Sequence, residues 1–251
     1  MDDLKLLIDL HIGGHRQGPG SDAMTRRAIA LAGLEGHQDL NVADIGCGTG
    51  AASLVLARDL QASVCAVDLF PDFLTELETR AAKAGLSGHI ETLAASMDAL
   101  PFDENALDVI WSEGAIYNIG FETGIRSWRR FLKPGGILAV SELTWLTQDR
   151  PDELTRHWDR EYPEVALPSQ KIAQLESHGY EVLGYFPLPP ECWRDAYYTP
   201  ILNRLEDFLK RHDQSDQAQA LVRAERAEID LYERFASFVS YGFYIARKLQ
   251  G

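Results

Sequence analysis

An α/β fold on a doubly wound, mostly parallel sheet is what this 251-residue sequence predicts, and three observations predict it. From residue 40 to about residue 190, short apolar runs alternate with amphipathic ones, which is the rhythm of βαβ units. The first apolar run ends in "ADIGCGTGA" (43–51), a glycine turn of the kind that leads a strand into a helix N-terminus. Near its end the chain carries "VSYGFYIARKL" (239–249), whose alternation reads as a final strand returning to the sheet beside residues 180–186.

The elements follow in order. A front segment (1–36) is expected as a helical cap: the glycine-rich "GGHRQGPG" precedes the helix "SDAMTRRAIALAGL", with Ser21 as its N-cap. The core (37–145) takes its strands from "LNVADI" (40–45), "ASVCAVDL" (62–69), "HIETLAA" (89–95), "LDVIWSE" (107–113) and "GILAVSEL" (136–143). Between them lie helices at "AASLVLARDL", at "PDFLTELETRAAKAG" with Pro71 in the first turn, and at "GIRSWRRFLKPGG", which the Pro-Gly-Gly should end. The C-terminal part (146–251) departs from this rhythm twice. A proline-punctuated helical stretch fills 144–178 ahead of the strand "YEVLGYF" (180–186), and a longer helical insertion fills 191–236 ahead of the final strand. One domain of this size accommodates all of it.

Composition excludes several classes. With 45% hydrophobic and 25% charged residues the chain reads as globular. A net charge of −14 without basic runs argues against nucleic acid as a partner. The cysteines Cys47, Cys65 and Cys192 match no zinc or redox spacing, which suits reduced thiols. The start "MDDLKLLIDLHIGG" is acidic and lacks the basic region of a secretory signal, so a cytoplasmic enzyme without a membrane anchor is expected.

The glycines of the turn fit two loose fingerprints and do not choose a ligand. Asp44, two residues before Gly46, discriminates better: at the end of the first strand it would repel a dinucleotide pyrophosphate and attract a cationic ligand such as S-adenosylmethionine. Asp68, at the end of the second strand, suits a pair of ribose hydroxyls in either type of site. Asp98 in "ASMDALPF", just past the third strand, suits an adenine amino group. Three acids at the ends of three consecutive strands specify a nucleoside site more tightly than the glycines do.

These motifs resemble the class I S-adenosylmethionine-dependent methyltransferases. "ADIGCGTG" is similar to their first motif, "AVDLF" to the second, "ASMDALPF" to the third, "LDVIWSEGAIYNI" to the fourth and "FLKPGGILAVSE" to the fifth, in order from 40 to 145. The flavour is that of the ubiquinone/menaquinone-biosynthesis type. "RQGPGS", "RPDEL", "YPE", "ECWRDAYYTP" and "EIDLYERF" resemble a bacterial subgroup of it, which transfers no acceptor. The resemblance implies a Rossmann-like, seven-stranded, mostly parallel sheet with an antiparallel last strand, helices on both faces and helical insertions near the acceptor site. It implies S-adenosylmethionine as methyl donor, S-adenosylhomocysteine as its product and a small-molecule acceptor. The cofactor contacts it implies are Gln17, Asp44, Gly46, Cys47, Gly48, Gly50, Asp68, Leu69, Ser96, Met97, Asp98 and Ser112.

Methyl transfer from a sulfonium needs alignment and a dry site, and a base only where the acceptor carries a proton. Glu113 and Tyr117 after the fourth strand are candidates for cofactor or acceptor contact, against helix capping and packing as the alternative. His15, at the start of the glycine-rich loop, is a third catalytic candidate. Glu142 and Trp145 follow the fifth strand as further acceptor contacts. His11 and His15 have the four-residue spacing of metal ligands, but Gly13 and Gly14 separate them and no third ligand offers itself, so no metal is expected. Trp193, Tyr197, Tyr198 and Tyr241 either wall an aromatic pocket or serve as helix-core or homodimer contacts. The alternatives to a methyltransferase are an NAD-dependent oxidoreductase on the same fold and a noncatalytic nucleoside-binding module.

Overall fold

In β1 (Asn41–Ile45) the residues alternate between two buried layers, because Val42 packs into one apolar cluster while Ala43 and Ile45 pack into another. A strand covered on both faces must sit inside a sheet with helices on each side. The computed structural model describes residues 3–250, so Met1, Asp2 and Gly251, and with them the outer ends of the expected cap and C-terminal part and the first residues weighed against a secretory signal, lie outside the described residues.

The other strands are β2 (Ser63–Asp68), β3 (Ile90–Ala94), β4 (Leu107–Glu113), β5 (Leu132–Trp145), β6 (Tyr180–Pro187) and β7 (Val239–Lys248). They form one seven-stranded sheet in the order β3-β2-β1-β4-β5-β7-β6. The first five strands pair in parallel, while β7 runs antiparallel between β5 and β6, with Val140 opposite Tyr244 and Phe186 opposite Phe243. The final strand therefore returns beside residues 180–186 as its alternation implied, and is buried from Val239 through Ala246. Chain order reverses between β1 and β4, which opens a crevice beyond their carboxyl ends.

Helices α1 (Asp3–Ile12), α2 (Asp22–Leu31), α3 (Ala51–Leu60), α4 (Pro71–Ala84) and α5 (Phe121–Trp128) belong to the front and core. Ser21 caps α2 by accepting the Met24 N–H at 3.3 Å. Two local expectations change. The Pro-Gly-Gly does not end α5, which stops at Trp128 and passes through a 3₁₀ turn at Arg129–Phe131. Pro134, Gly135 and Gly136 instead lie inside β5, where the pairing with β4 shifts register between Leu107 and Val109. The edge strand β3 is only half-buried, unlike the four strands beside it in the parallel part.

Beyond β5 come α6 (Asp152–Glu161), α7 (Pro168–Ser177), α8 (Pro190–Trp193), α9 (Thr199–Arg211) and α10 (Asp216–Phe235), with a π-helical turn at Arg194–Tyr198. Trp193 is sandwiched between Tyr232 at 4.4 Å and Tyr241 at 5.3 Å, and its indole N–H donates to Ser240 Oγ at 3.0 Å. That stack fastens the 191–236 insertion to β7. Helix α1 packs against α9 and α10, so the front segment and the 191–236 insertion meet above the carboxyl ends of the strands.

Candidate functional site

Where the chain leaves β1, the N–H groups of Gly46 and Cys47 both donate to Val67 O, at 2.8 and 3.0 Å, which folds the glycine turn against the end of β2. Gly48 has φ +54°, and a Cβ there would fall on Gln17 Oε1. Gly50, at φ +84°, would drive a Cβ into Leu77 of α4. These two glycines thus admit the protein's own side chains, and Gly50 stands outside the lining of the cavity.

Gln17 is consumed by the same turn. Its Oε1 accepts from Thr49 N at 2.8 Å and from Thr49 Oγ1 at 3.0 Å, while its amide donates to His11 O and Gly14 O. Arg80 of α4 completes the clamp, donating to Thr49 Oγ1 at 2.7 Å and to Gly14 O at 2.9 Å. The front segment is thereby drawn over a cavity of about 700 Å³ at the carboxyl ends of β1, β2, β3 and β4.

The three acids meet in that cavity. Asp44 is 1% exposed, and its Oδ2 accepts from Ser53 Oγ at 2.6 Å. Burial pushes its carboxyl up to about 7, against the pull of Ser53, with the neighbouring charge of Glu113 adding to the rise. Asp68 accepts the N–H of Gly48 at 2.8 Å and of Phe70 at 3.0 Å; burial raises its carboxyl and these backbone bonds oppose the rise. Asp98, Ser96 and Met97 line the third side, where Trp128 fixes the Met97 carbonyl with a 2.9 Å hydrogen bond, and Leu69 lines the mouth with an exposed side chain. Cys47 also lines the cavity, and burial with the charges of Asp44 and Asp68 keeps its thiol protonated.

Several expected site residues stand elsewhere or have other partners. Ser112 is fully buried outside the cavity lining and donates to Ile45 O at 2.8 Å, clipping β4 to β1. His15 also lies outside the lining: its side chain is 64% exposed and meets Asp22 at 3.4 Å. Glu113 does face the cavity, but its carboxylate takes hydrogen bonds from Arg16 at 2.5 Å, Thr25 at 2.7 Å and Trp111 at 2.9 Å. With three donors on two oxygens it ties the front segment to β4 while still facing the cavity. Glu142 is enclosed beside Lys171 at 3.7 Å, and Trp145 lies beneath the Arg150 guanidinium, both away from the lining. Of the aromatic group Trp193, Tyr198 and Tyr241 pack into the core, and Tyr197 alone reaches the cavity, with Tyr117 opposite from the turn after β4.

Four ionisable lining residues were not expected at the cavity: His11 and Arg16 from the front, and Glu225 and Glu228 from α10. Glu225 and Glu228 sit three apart on an acidic amphipathic helix, a pattern that reads as a solvated face. Only the fold, which brings α1 against α10, turns them inward.

The comparisons with known proteins bear on this geometry. Residues 42–136 match the family model described as a methyltransferase domain, which covers the glycine turn and the three acids. The chain carries a methyltransferase domain. That domain sits in a class I methyltransferase fold. The SAM-dependent methyltransferase of Geobacter sulfurreducens, solved in complex with S-adenosyl-L-homocysteine, superposes with a TM-score of 0.84 at 18% identity, covering 96% of this chain and 97% of that one. Among curated relatives, the malonyl-[acyl-carrier protein] O-methyltransferase of Dechloromonas aromatica is 30% identical over 48% of this chain and 44% of its own length. The sterol 24-C-methyltransferase erg-4 of Neurospora crassa is 24% identical over 76% of this chain and 53% of its own length. The chain thus spans about half the length of the curated relatives it matches. No helix among the described residues is long and apolar enough to cross a membrane.

Proposed function

We propose that this protein is an S-adenosylmethionine-dependent methyltransferase acting on a small-molecule acceptor. The observation that carries the proposal is the convergence of Asp44, Asp68 and Asp98, from three consecutive strand ends, on one cavity beside the glycine turn. The matched methyltransferase domain supports the same function, since it contains all three acids. The resemblance of the motifs to the ubiquinone/menaquinone-biosynthesis type supports a small molecule as acceptor.

The cavity's residues fit the cofactor. Each oxygen of Asp68 receives one backbone N–H, which leaves each a lone pair for a ribose hydroxyl. Asp44 is a buried acid with no cationic side chain bonded to it among the described residues, a setting that favours a cationic ligand. Asp98 and Ser96 line the same cavity, where the Asp98 carboxylate would accept from an adenine amino group. The bound cofactor would supply an activated methyl group on a sulfonium, to be taken by the acceptor's lone pair in an in-line displacement. The protein excludes water by the Gln17 and Arg80 clamp on the front segment and leaves Tyr117 and Tyr197 to bracket the acceptor. A pyrophosphate would face Asp44 without a counter-charge, which disfavours a dinucleotide.

The test is transfer of label from methyl-labelled S-adenosylmethionine to a metabolite extract, with the product identified by mass spectrometry. Label in a low-molecular-mass product is expected. Label found only in protein or nucleic acid, or nowhere, would refute a small-molecule acceptor.

A further inference from the structure

One wall of the cavity is built from α1, α10 and the π-helical turn, and nothing in the cofactor chemistry described above uses it. His11 lies there 7% exposed, its Nε2 3.2 Å from Glu225 Oε1. A carboxylate only accepts, so Nε2 carries the hydrogen; in the neutral ring Nδ1 is then an acceptor, and it has no hydrogen-bond partner among the described residues. Tyr197 stacks near the imidazole, with ring centroids 6.2 Å apart. Its side chain is 9% exposed, it lines the cavity, and its hydroxyl has no hydrogen-bond partner among the described residues. A phenol at the cavity wall without a protein partner is free to bond a polar ligand.

Glu228 adds a second carboxylate, one turn from Glu225 on the same helix. Its hydrogen bond is from the Tyr198 hydroxyl at 3.1 Å. Apart from the His11 hydrogen bond, no described side chain lining this wall answers the pair, since Arg16 is committed to Glu113 and Asp22. An acceptor bearing a carboxylate or phosphate would be repelled here, and a neutral alcohol would gain nothing from the charge. A cation would be drawn in. Leu7, Ile8, Tyr117 and Tyr197 supply apolar surface around the acids, which suits an organic ammonium better than a hydrated metal ion.

We propose that the acceptor is a small amine, drawn in as its ammonium form by Glu225 and Glu228 and relieved of one proton by His11 Nδ1. In that step an N–H bond of the ammonium breaks, its electron pair stays on the amine nitrogen, and the proton forms Nδ1–H on His11. The nitrogen is left neutral and nucleophilic while the Nε2 hydrogen bond to Glu225 stabilises the imidazolium. The inference rests on the methyl-transfer function proposed above.

Two titrations separate the two claims. S-adenosylhomocysteine is titrated first by calorimetry; failure to bind would overturn the methyl-transfer function and this inference with it. The saturated complex is then titrated, under NMR detection, with matched trios: butylamine, 1-butanol and butyrate; phenethylamine, 2-phenylethanol and phenylacetate; cyclohexylamine, cyclohexanol and cyclohexanecarboxylate. The amine of each trio that binds should exceed its alcohol and acid by about 10-fold or more, and Glu228→Gln should cost the amines about 10- to 100-fold while S-adenosylhomocysteine affinity holds. With the amine bound, the imidazole signals of His11 should report protonation, and His11→Asn should abolish that response. Alcohols or acids that match the amines, no amine binding at all, amine affinity indifferent to Glu228→Gln, or a His11 imidazole that stays neutral on amine binding would each overturn the assignment.

Discussion

Asp44 carries the sharpest consequence for solution behaviour. Burial holds its carboxyl at about 7 in the folded protein, against roughly 3.9 for an unfolded aspartate. Between those values the folded state binds more protons than the unfolded one, so the stability due to this group is full below about pH 4 and declines as pH rises towards 7. The groups that face Asp44 are Ser53, Glu113, Arg16 and Asp68, and Ser53 is the one hydrogen-bonded to it. A cationic ligand recovers the cost of ionisation, so S-adenosylmethionine affinity should climb with pH up to about 7 and then level. Asp44→Asn should flatten both profiles; a variant that keeps the parental slopes would place the titrating group elsewhere. Asp68→Ala removes the acceptors proposed for two ribose hydroxyls, a loss of about 2–4 kcal/mol, so cofactor affinity should fall roughly 30- to 1000-fold. A folded variant binding as well as the parent would remove Asp68 from the nucleoside site. These acids were legible because each ends a strand of its own. His11 was visible as a residue but not as a lining group, since its partner Glu225 lies 214 positions away.

At the scale of elements, the two segments outside the βαβ rhythm do different work from what their composition implies. The aromatics of the insertion 191–236 were open to either pocket walls or helix-core packing, and the Trp193 stack on Tyr232 and Tyr241 makes most of that aromatic surface core. Trp193→Ala should therefore lower stability by about 3–5 kcal/mol in denaturant unfolding. A loss below about 1 kcal/mol would contradict a packed role. The front segment is held by side chains rather than by a sheet or a long helix, through Gln17, Arg16 and Arg80. Gln17→Ala should speed amide exchange across residues 11–20, and S-adenosylhomocysteine should slow it in the parent. Exchange unmoved by either change would mean that the segment does not close the site. The Pro-Gly-Gly shows where local signals mislead: proline and glycine ordinarily stop a helix, but β5 absorbs them at a register shift against β4.

For the whole molecule, the seven strands were legible from alternation alone, because a sheet covered on both faces demands apolar runs and its crossovers demand amphipathic ones. The cofactor half of the cavity was legible for the same reason, being made of strand ends and the turn after β1. The half proposed for the acceptor was not: it is assembled from α1, α10 and a π-helical turn, and no local pattern states which helix face meets which. The excess of acids over bases, −14 overall, is carried into the cavity, where Asp44, Asp68, Asp98, Glu225 and Glu228 face one space. A cavity of that sign selects cationic ligands and rejects polyphosphates, and that selection is the central claim. Parallel calorimetric titrations with S-adenosylmethionine and with NAD test it most directly. The account predicts saturable binding of S-adenosylmethionine and none of NAD; tight NAD binding without a response to S-adenosylmethionine would contradict it.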